Sequence, residues 1–398
     1  MILDKIKNRY TKEMKIKILL TITASILLAV IVVVLNQGID DLFWGRRLEF
    51  ERLRVLDVSD ERLVLDTHMN SGLYLGPQDL RIEILTGPHR GRSVDVQHSL
   101  SLYYNVHARV GMTLVGAVIY SYDGTYDYYG EYNHDGTISI DMINYHRAPY
   151  IFWFVLLFVL MLLIIGRKKG LKALLGLAFT MFCIFYIFLP MLYRGVPAIL
   201  AAVIIGIIST IVALALLNGI SRKTLAAIIG TTLGVVIAGL VAWGFGTLAR
   251  VTIFNTDFAE ALVAVAQDTP IRINGLLFSG VIIAALGAVM DVGVSISSAV
   301  FELQAVSQKP DMKQLFSSGM NIGRDVMGTM SNTLILAFMG ASLNVVVLLY
   351  AYQLPITQLM NLDMMTLEVL QAISGTIGII FTVPITAFVS TYLCTKVK

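Results

Sequence analysis

The sequence predicts an all-α polytopic membrane protein of about eight transmembrane helices, with a small β-barrel-like domain of the OB or SH3-like kind inserted near its N-terminus. Three observations predict it. The 398 residues are 56% hydrophobic and only 14% charged, with a mean hydropathy of +0.75, values that belong to membrane proteins. Eight apolar runs, one of them interrupted by Asp291, are long enough to cross a hydrocarbon layer of roughly 30 Å as helices. The stretch from Ile39 to Arg147 holds 16 of the 27 acids, all six histidines and ten arginines, with no lysine, and therefore reads as a separate water-facing unit.

The first run, Ile18 to Leu35, reads as an uncleaved signal-anchor. Its apolar length exceeds the usual cleavable core, and Asn36-Gln37-Gly38-Ile39 lacks a small-x-small cleavage site. The chain thus divides into 1–38, the cytoplasmic N-terminus and first helix; 39–147, an exported β-rich domain; and 148–398, a seven-helix membrane domain. Residues 47–55, 62–66 and 80–85 alternate apolar with polar at the period of strands, and Gly87-Pro88-His89-Arg90-Gly91 marks a turn before 93–96. At about 110 residues this domain can bury its own core. Tyr120, Tyr122, Tyr126, Tyr128, Tyr129 and Tyr132 precede Trp153; an interfacial aromatic belt with strand packing accounts for them, and stacking on a sugar or nucleobase is the competing use. Nucleic acid is excluded as a partner, because ten arginines against 16 acids give a field that repels phosphate.

The remaining runs lie within 148–166, 173–193, 196–218, 224–249, 273–298, 326–350 and 369–393. A backbone in lipid satisfies its own hydrogen bonds, and the runs lack barrel alternation, so they are helices. With the N-terminus inside, eight crossings bring all 13 lysines to the cytoplasmic face and leave both termini there. Between the fifth and sixth runs, Phe258, Leu262, Val265 and Ala266 share one helical face, which predicts a short interfacial helix ended by Pro270. Cys183 and Cys394 both lie in or at the end of membrane helices, so no disulfide staples the exported domain.

Polar residues are costly in lipid, and they concentrate in the sixth and seventh helices. In the sixth, Asp291, Ser295, Ser298 and Glu302 recur at i, i+4, i+7 and i+11, which places them on one face. In the seventh, Asn321, Arg324, Gly328 and Ser331 or Asn332 follow the same spacing, with Asp325 one step around. Asp291 comes 18 residues after Ile273, which sets it in the cytoplasmic half, and Arg324 at the entrance of the seventh helix is the nearest cation. Two readings stay open. In one, Asp291 titrates or coordinates along an ion or polar-solute path gated by Arg324 and Asp325 and lined by Ser295 and Asn332. In the other, the same groups form a static hydrogen-bonded stitch, or Arg324 and Asp325 stand in cytoplasmic water at a helix start.

Gly230-x3-Gly234 and Gly319-x3-Gly323 have the spacing that lets helices approach closely. Gly375, Gly378 and Pro384 interrupt the eighth helix, where a proline frees a carbonyl and kinks the backbone. No Gly-x4-Gly-Lys-Ser/Thr loop, no His-Glu-x2-His and no histidine in a membrane run are present, so neither an ATP-driven pump nor an intramembrane zinc protease is supported. No enzyme activity and no cofactor is predicted, a metal is left open, and no internal repeat points to a substrate site between symmetric halves.

The blocks Leu286 to Ser297 and Ser318 to Leu334 resemble the YibE/F-like family of bacterial membrane proteins, as do the Gly87 to Gly91 turn and the stretch Gly375 to Thr386. The resemblance implies a multi-pass protein of the bacterial cell membrane and supplies no substrate and no assigned residues. The expected function is a permease or channel-like transporter of an ion or small polar solute, with a path between helices six and seven. A non-transporting scaffold or sensor, whose exported domain binds a ligand or partner, is the alternative. The expected partners are the lipid bilayer and such a solute, with a homo-oligomer left open.

Overall fold

The computed structural model describes residues 28–37, 49–66, 72–101, 105–120, 138–251, 259–273, 275–306 and 311–395. The lysines before the first run, most of that run, Tyr122 to Tyr132, Lys309, Lys396 and Lys398 lie outside these residues.

Apolar runs become helices wherever their length permits. We number them α1 (28–36), α2 (Ala148–Tyr193), α3 (Ala198–Asn218), α4 (Arg222–Leu248), α5 (Ala259–Asp268), α6 (Leu276–Val306), α7 (Met312–Ala341), α8 (Leu343–Ala351), α9 (Ile356–Leu359) and α10 (Asp363–Thr395). Among the described residues five of these, α2, α3, α4, α6 and α10, are long and apolar enough to cross a membrane. A sixth span results if α7 and α8, bent by 62°, are counted together.

The runs expected at 148–166 and 173–193 are joined in α2, but Arg167 breaks the helix there with φ 46° and ψ −128°. A left-handed backbone at a non-glycine residue is uncommon, and the chain folds back so tightly that a side chain at Gly170 would overlap the Leu162 carbonyl. The helix expected after Asn255 forms as α5, and the Thr269 hydroxyl donates to Val265 O at its end. Two boundaries differ from expectation. Helix α7 starts at Met312, because its first turns carry Lys313, Gln314, Ser317 and Ser318, which a search for uncharged runs passes over. Helix α10 starts at Asp363 and runs unbroken through Gly375, Gly378 and Pro384, so the helix break expected at these residues does not form.

The chain divides into two compact units, Phe43–Met161 and Met1–Leu42 with Leu162–Lys398. The first is a curled antiparallel sheet, a half-barrel, with strands β1 (Glu49–Glu61), β2 (Val64–Leu65), β3 (Tyr74–Ile84), β4 (Ser93–Leu100), β5 (Thr113–Tyr120) and β6 (Ile138–Tyr145). Their order is β2-β3-β1-β5-β6, with β4 also paired to β3. Alternation in β1 buries Leu53 and Val55 while Arg52 and Arg54 stay exposed, and these two join Leu80, Ile82, Ile84, Leu114 and Ile140 in the core. The β3–β4 hairpin closes at the expected turn, where Gly87 and Gly91 take φ of 79° and 86° and the Gly91 N–H donates to Ile84 O. One buried polar side chain organises the core: Gln78 accepts from the Ala108 N–H at 3.0 Å and donates to Ala108 O at 3.1 Å and to Glu61 at 2.9 Å.

In the second unit α4, α6, α7 and α10 pack around one core, with α3 against α4 and α6. The two glycine pairs work as their spacing predicts. Gly230 and Gly234 of α4 receive Thr386 and Thr382 of α10, while Gly319 and Gly323 of α7 receive Val300 and Ile296 of α6 and Ala387 and Val383 of α10. The free carbonyls at the C-terminus of α1 are satisfied by Arg194, whose guanidinium donates to Val34, Leu35 and Gln37.

Candidate functional site

Helix α6 buries one face and leaves the opposite one bare. Val289, Val292, Gly293, Ile296 and Val300 are buried against its neighbours. Asp291, Ser295 and Glu302 are exposed and Ser298 is half-exposed, as their common spacing requires. The stripe continues further toward the N-terminus than sequence reasoning carried it. Gly280, Ala284 and Gly287 occupy the same face at the same spacing and are exposed, and Gly280 and Gly287 have open space where a side chain would stand. The period counted backward from Asp291 was the signal that could have found them.

Helix α7 repeats the arrangement. Its glycine face turns inward, and Asn321, Arg324, Asp325, Gly328 and Asn332 are exposed, with Ser331 half-exposed. Thr329 and Thr333 belong to this polar face as well; their hydroxyls donate to the Val326 and Thr329 carbonyls of their own helix. Open space surrounds Gly328.

The helices run antiparallel, and their close contacts fix the register. A methyl at Gly323 would lie 3.2 Å from Ile296 Cδ1, and one at Gly319 would lie 2.8 Å from Val300 Cγ2. Extending that register puts Asp291 level with Gly328, Ser295 with Arg324, and Ser298 with Asn321. Asp291 is the middle residue of α6, and Arg324 and Asp325 stand well inside α7 and not at its start. The polar groups therefore sit deeper along their helices than the apolar runs alone placed them.

The structure brings few of these groups into contact. Arg324 Nη1 donates to Asn321 Oδ1 at 3.0 Å, and Ser295 Oγ donates to the Asp291 backbone carbonyl at 2.7 Å. Among the described residues neither the Asp291 carboxylate nor that of Asp325 has a hydrogen bond or ion pair, and Arg324 does not reach Asp291. The static stitch between the two helices is therefore not formed. Cavities of about 370 Å³, beside Arg250, Trp243 and Phe278, and about 280 Å³, between α7, α8 and α10, are lined by other residues. No group of three or more His, Cys, Asp or Glu side chains that could hold a metal ion is present among the described residues.

A polar, glycine-edged face on long apolar helices is the feature that the sequence blocks at Leu286 to Ser297 and Ser318 to Leu334 encode. The family model described as YibE/F-like protein matches residues 154–396, most of α2 and every later helix, well over half of the chain. The chain belongs to the YibE/F-like family. Membership and the long apolar helices together make this YibE/F-like chain a multi-pass membrane protein. The match begins inside α2, so the Gly87 to Gly91 turn and all six strands lie outside it. No curated protein and no solved structure matches the chain.

Proposed function

We propose that this YibE/F-like protein is a permease for an ion or small polar solute, whose path follows the polar faces of α6 and α7, with Asp291 as the group that titrates or coordinates. One observation carries the reading: a carboxylate without a partner among the described residues stands at the middle of a helix of membrane-spanning length. A carboxylate facing hydrocarbon costs roughly 3 kcal/mol or more, so such groups face water, a counter-charge or a passing solute. Ser295, Ser298, Glu302, Asn321, Arg324, Asp325 and Asn332 supply the remaining polar groups of the path. In this reading the chain crosses the membrane eight times, α2 contributing two crossings that meet at Arg167, and both termini are cytoplasmic. The sheet unit is an extracytoplasmic accessory barrel of the OB or SH3-like kind, which fits its curl and the approach of β4 to β6. The protein has no enzyme activity and needs no cofactor for this role.

The alternative is a non-transporting scaffold or sensor whose sheet unit binds a partner. It is favoured by the close packing of α6 and α7 through Gly319 and Gly323, which leaves their polar groups beside the helix pair and not between its members. Flux of ions and small metabolites into liposomes holding the purified protein, with and without a pH gradient, separates the two. Transport predicts a flux that Asp291→Asn abolishes in folded protein; the absence of flux for every solute tested favours the scaffold.

A further inference from the structure

We infer that a second copy of the chain covers the polar face of α6 and α7, with α6 of each copy lying against α7 of the other, so that Asp291 meets the partner's Arg324. The inference takes the same face as the proposed path and rests on that reading's premise that these helices lie in lipid. Pairing of copies and flux of solute are read by different experiments, so either can fail alone.

The charges on the face require a cover that differs from lipid. Asp291 and Glu302 on α6 and Arg324 and Asp325 on α7 are exposed, and Asp291 has no partner among the described residues. Carrying both signs, the face is complementary to itself, and a twofold operation brings the acid of each copy toward the cation of the other, satisfying two pairs at once. A twofold axis along the membrane normal preserves depth. The partner's Gly328 then stands level with Asp291, and the partner's Arg324 lies about one helical turn away, roughly 6 Å and within reach of an arginine side chain. Gly287 and Gly328 leave open space on these faces, so a facing helix can approach closely and bring the pair together. Helix α4 is different: its exposed residues include Leu233, Leu240 and Phe245, which suit lipid as they stand.

The test uses the full chain in membranes with Cys183 and Cys394 replaced by serine. Two differently tagged copies are co-expressed, one carrying Gly287→Cys and the other Asn332→Cys, positions that the register sets at equal depth, and mild oxidation is applied. A disulfide-linked heterodimer is expected from this combination and none from Gly287→Cys with Leu240→Cys. In nanodiscs, Asp291→Arg is expected to lower the dimerisation constant of otherwise unmodified protein about tenfold or more, the size of a lost interhelical polar contact. Asp291→Arg combined with Arg324→Asp is expected to restore it. The inference is overturned if the Gly287 and Asn332 cysteines cross-link no better than the Leu240 control, which would leave the face to lipid or to another segment of the same chain. It is equally overturned if the wild type is monomeric in nanodiscs, or if the double exchange fails to recover dimer in protein that inserts.

Discussion

Replacing Gly234 by alanine should destabilise the helical unit, and the same replacement at Gly328 should not. A methyl at Gly234 overlaps Thr382 Oγ1 and lies 3.0 Å from both the Gly378 carbonyl oxygen and Val289 Cγ1, so it is crowded by α10 and α6 together. Rotation of Thr382 gives little relief, because its hydroxyl donates to Gly378 O at 2.7 Å and the remaining two neighbours are unmoved. Overpacking of this kind costs about 1–3 kcal/mol. Alanine also favours a helix over glycine by about 1 kcal/mol, and that gain applies at both positions. At Gly328 nothing lies within 4 Å of the added methyl, so the helical gain stands alone there. The two substitutions should therefore differ by about the overpacking cost, 1–3 kcal/mol, whatever the propensity gain. Reversible unfolding of the purified protein in mixed micelles, by steric trapping or graded denaturing detergent, measures the difference. Combining Gly234→Ala with Thr382→Ala should recover part of the loss and reveal a coupling of about 1 kcal/mol. Two glycine variants of equal stability would refute the interlocked packing of α4 and α10.

Two further predictions concern the sheet unit. Replacing Gln78 by leucine removes both partners of the Ala108 backbone and should cost about 2–3 kcal/mol; hydrogen exchange at the Ala108 amide should accelerate at least about tenfold, and unchanged protection would contradict the network. The Arg81 guanidinium, bonded to both Asp95 oxygens at 2.8 and 3.0 Å, holds the Asp95 carboxyl below the usual carboxylate range. Because this folded-state value is depressed, the contribution to stability is present above the ordinary aspartate range and is lost as pH falls through the lowered value. Carbon NMR should find Asp95 titrating below an ordinary aspartate and returning to the normal range in Arg81→Ala; an ordinary value in both proteins would contradict the pair.

Much of this architecture is written in the sequence because hydrocarbon imposes simple rules. Length and the absence of charge mark the helical runs, and the Arg167, Lys168, Lys169 cluster marks the break inside α2. The same rules hide the start of α7, since Lys313 and Gln314 begin a helix that no apolar criterion includes. They also hide the bend at Ser342, where no proline announces a change of direction. Strand β5 is illegible for another reason: Leu114-Val115-Gly116-Ala117-Val118-Ile119 is continuously apolar and carries no alternation to count. At the candidate site, periodicity sufficed to place Asp291, Ser295, Ser298 and Glu302 on one face. It could not say which way that face points, because a helical period is the same whether the stripe looks into the bundle or away from it. The direction is set by the glycines of α7, which receive Val300 and Ile296 of α6, and that pairing appears only when the helices are assembled.

On the proposed path the Asp291 face is wet although it lies on helices of membrane-spanning length. Single cysteines placed at Asp291, Ser295 and Ser298 of α6 can be challenged in sealed vesicles with a water-soluble thiol reagent, which the thiolate attacks, so that reaction requires water at the site. Labelling at these three positions is expected to be about tenfold or more faster than at Leu240, an exposed apolar position on α4, with protection at Val292 and Ile296, which are buried. Labelling at Asp291 and Ser295 no faster than at Leu240 would mean that the stripe faces hydrocarbon or is sealed by a neighbouring helix, and would contradict the path.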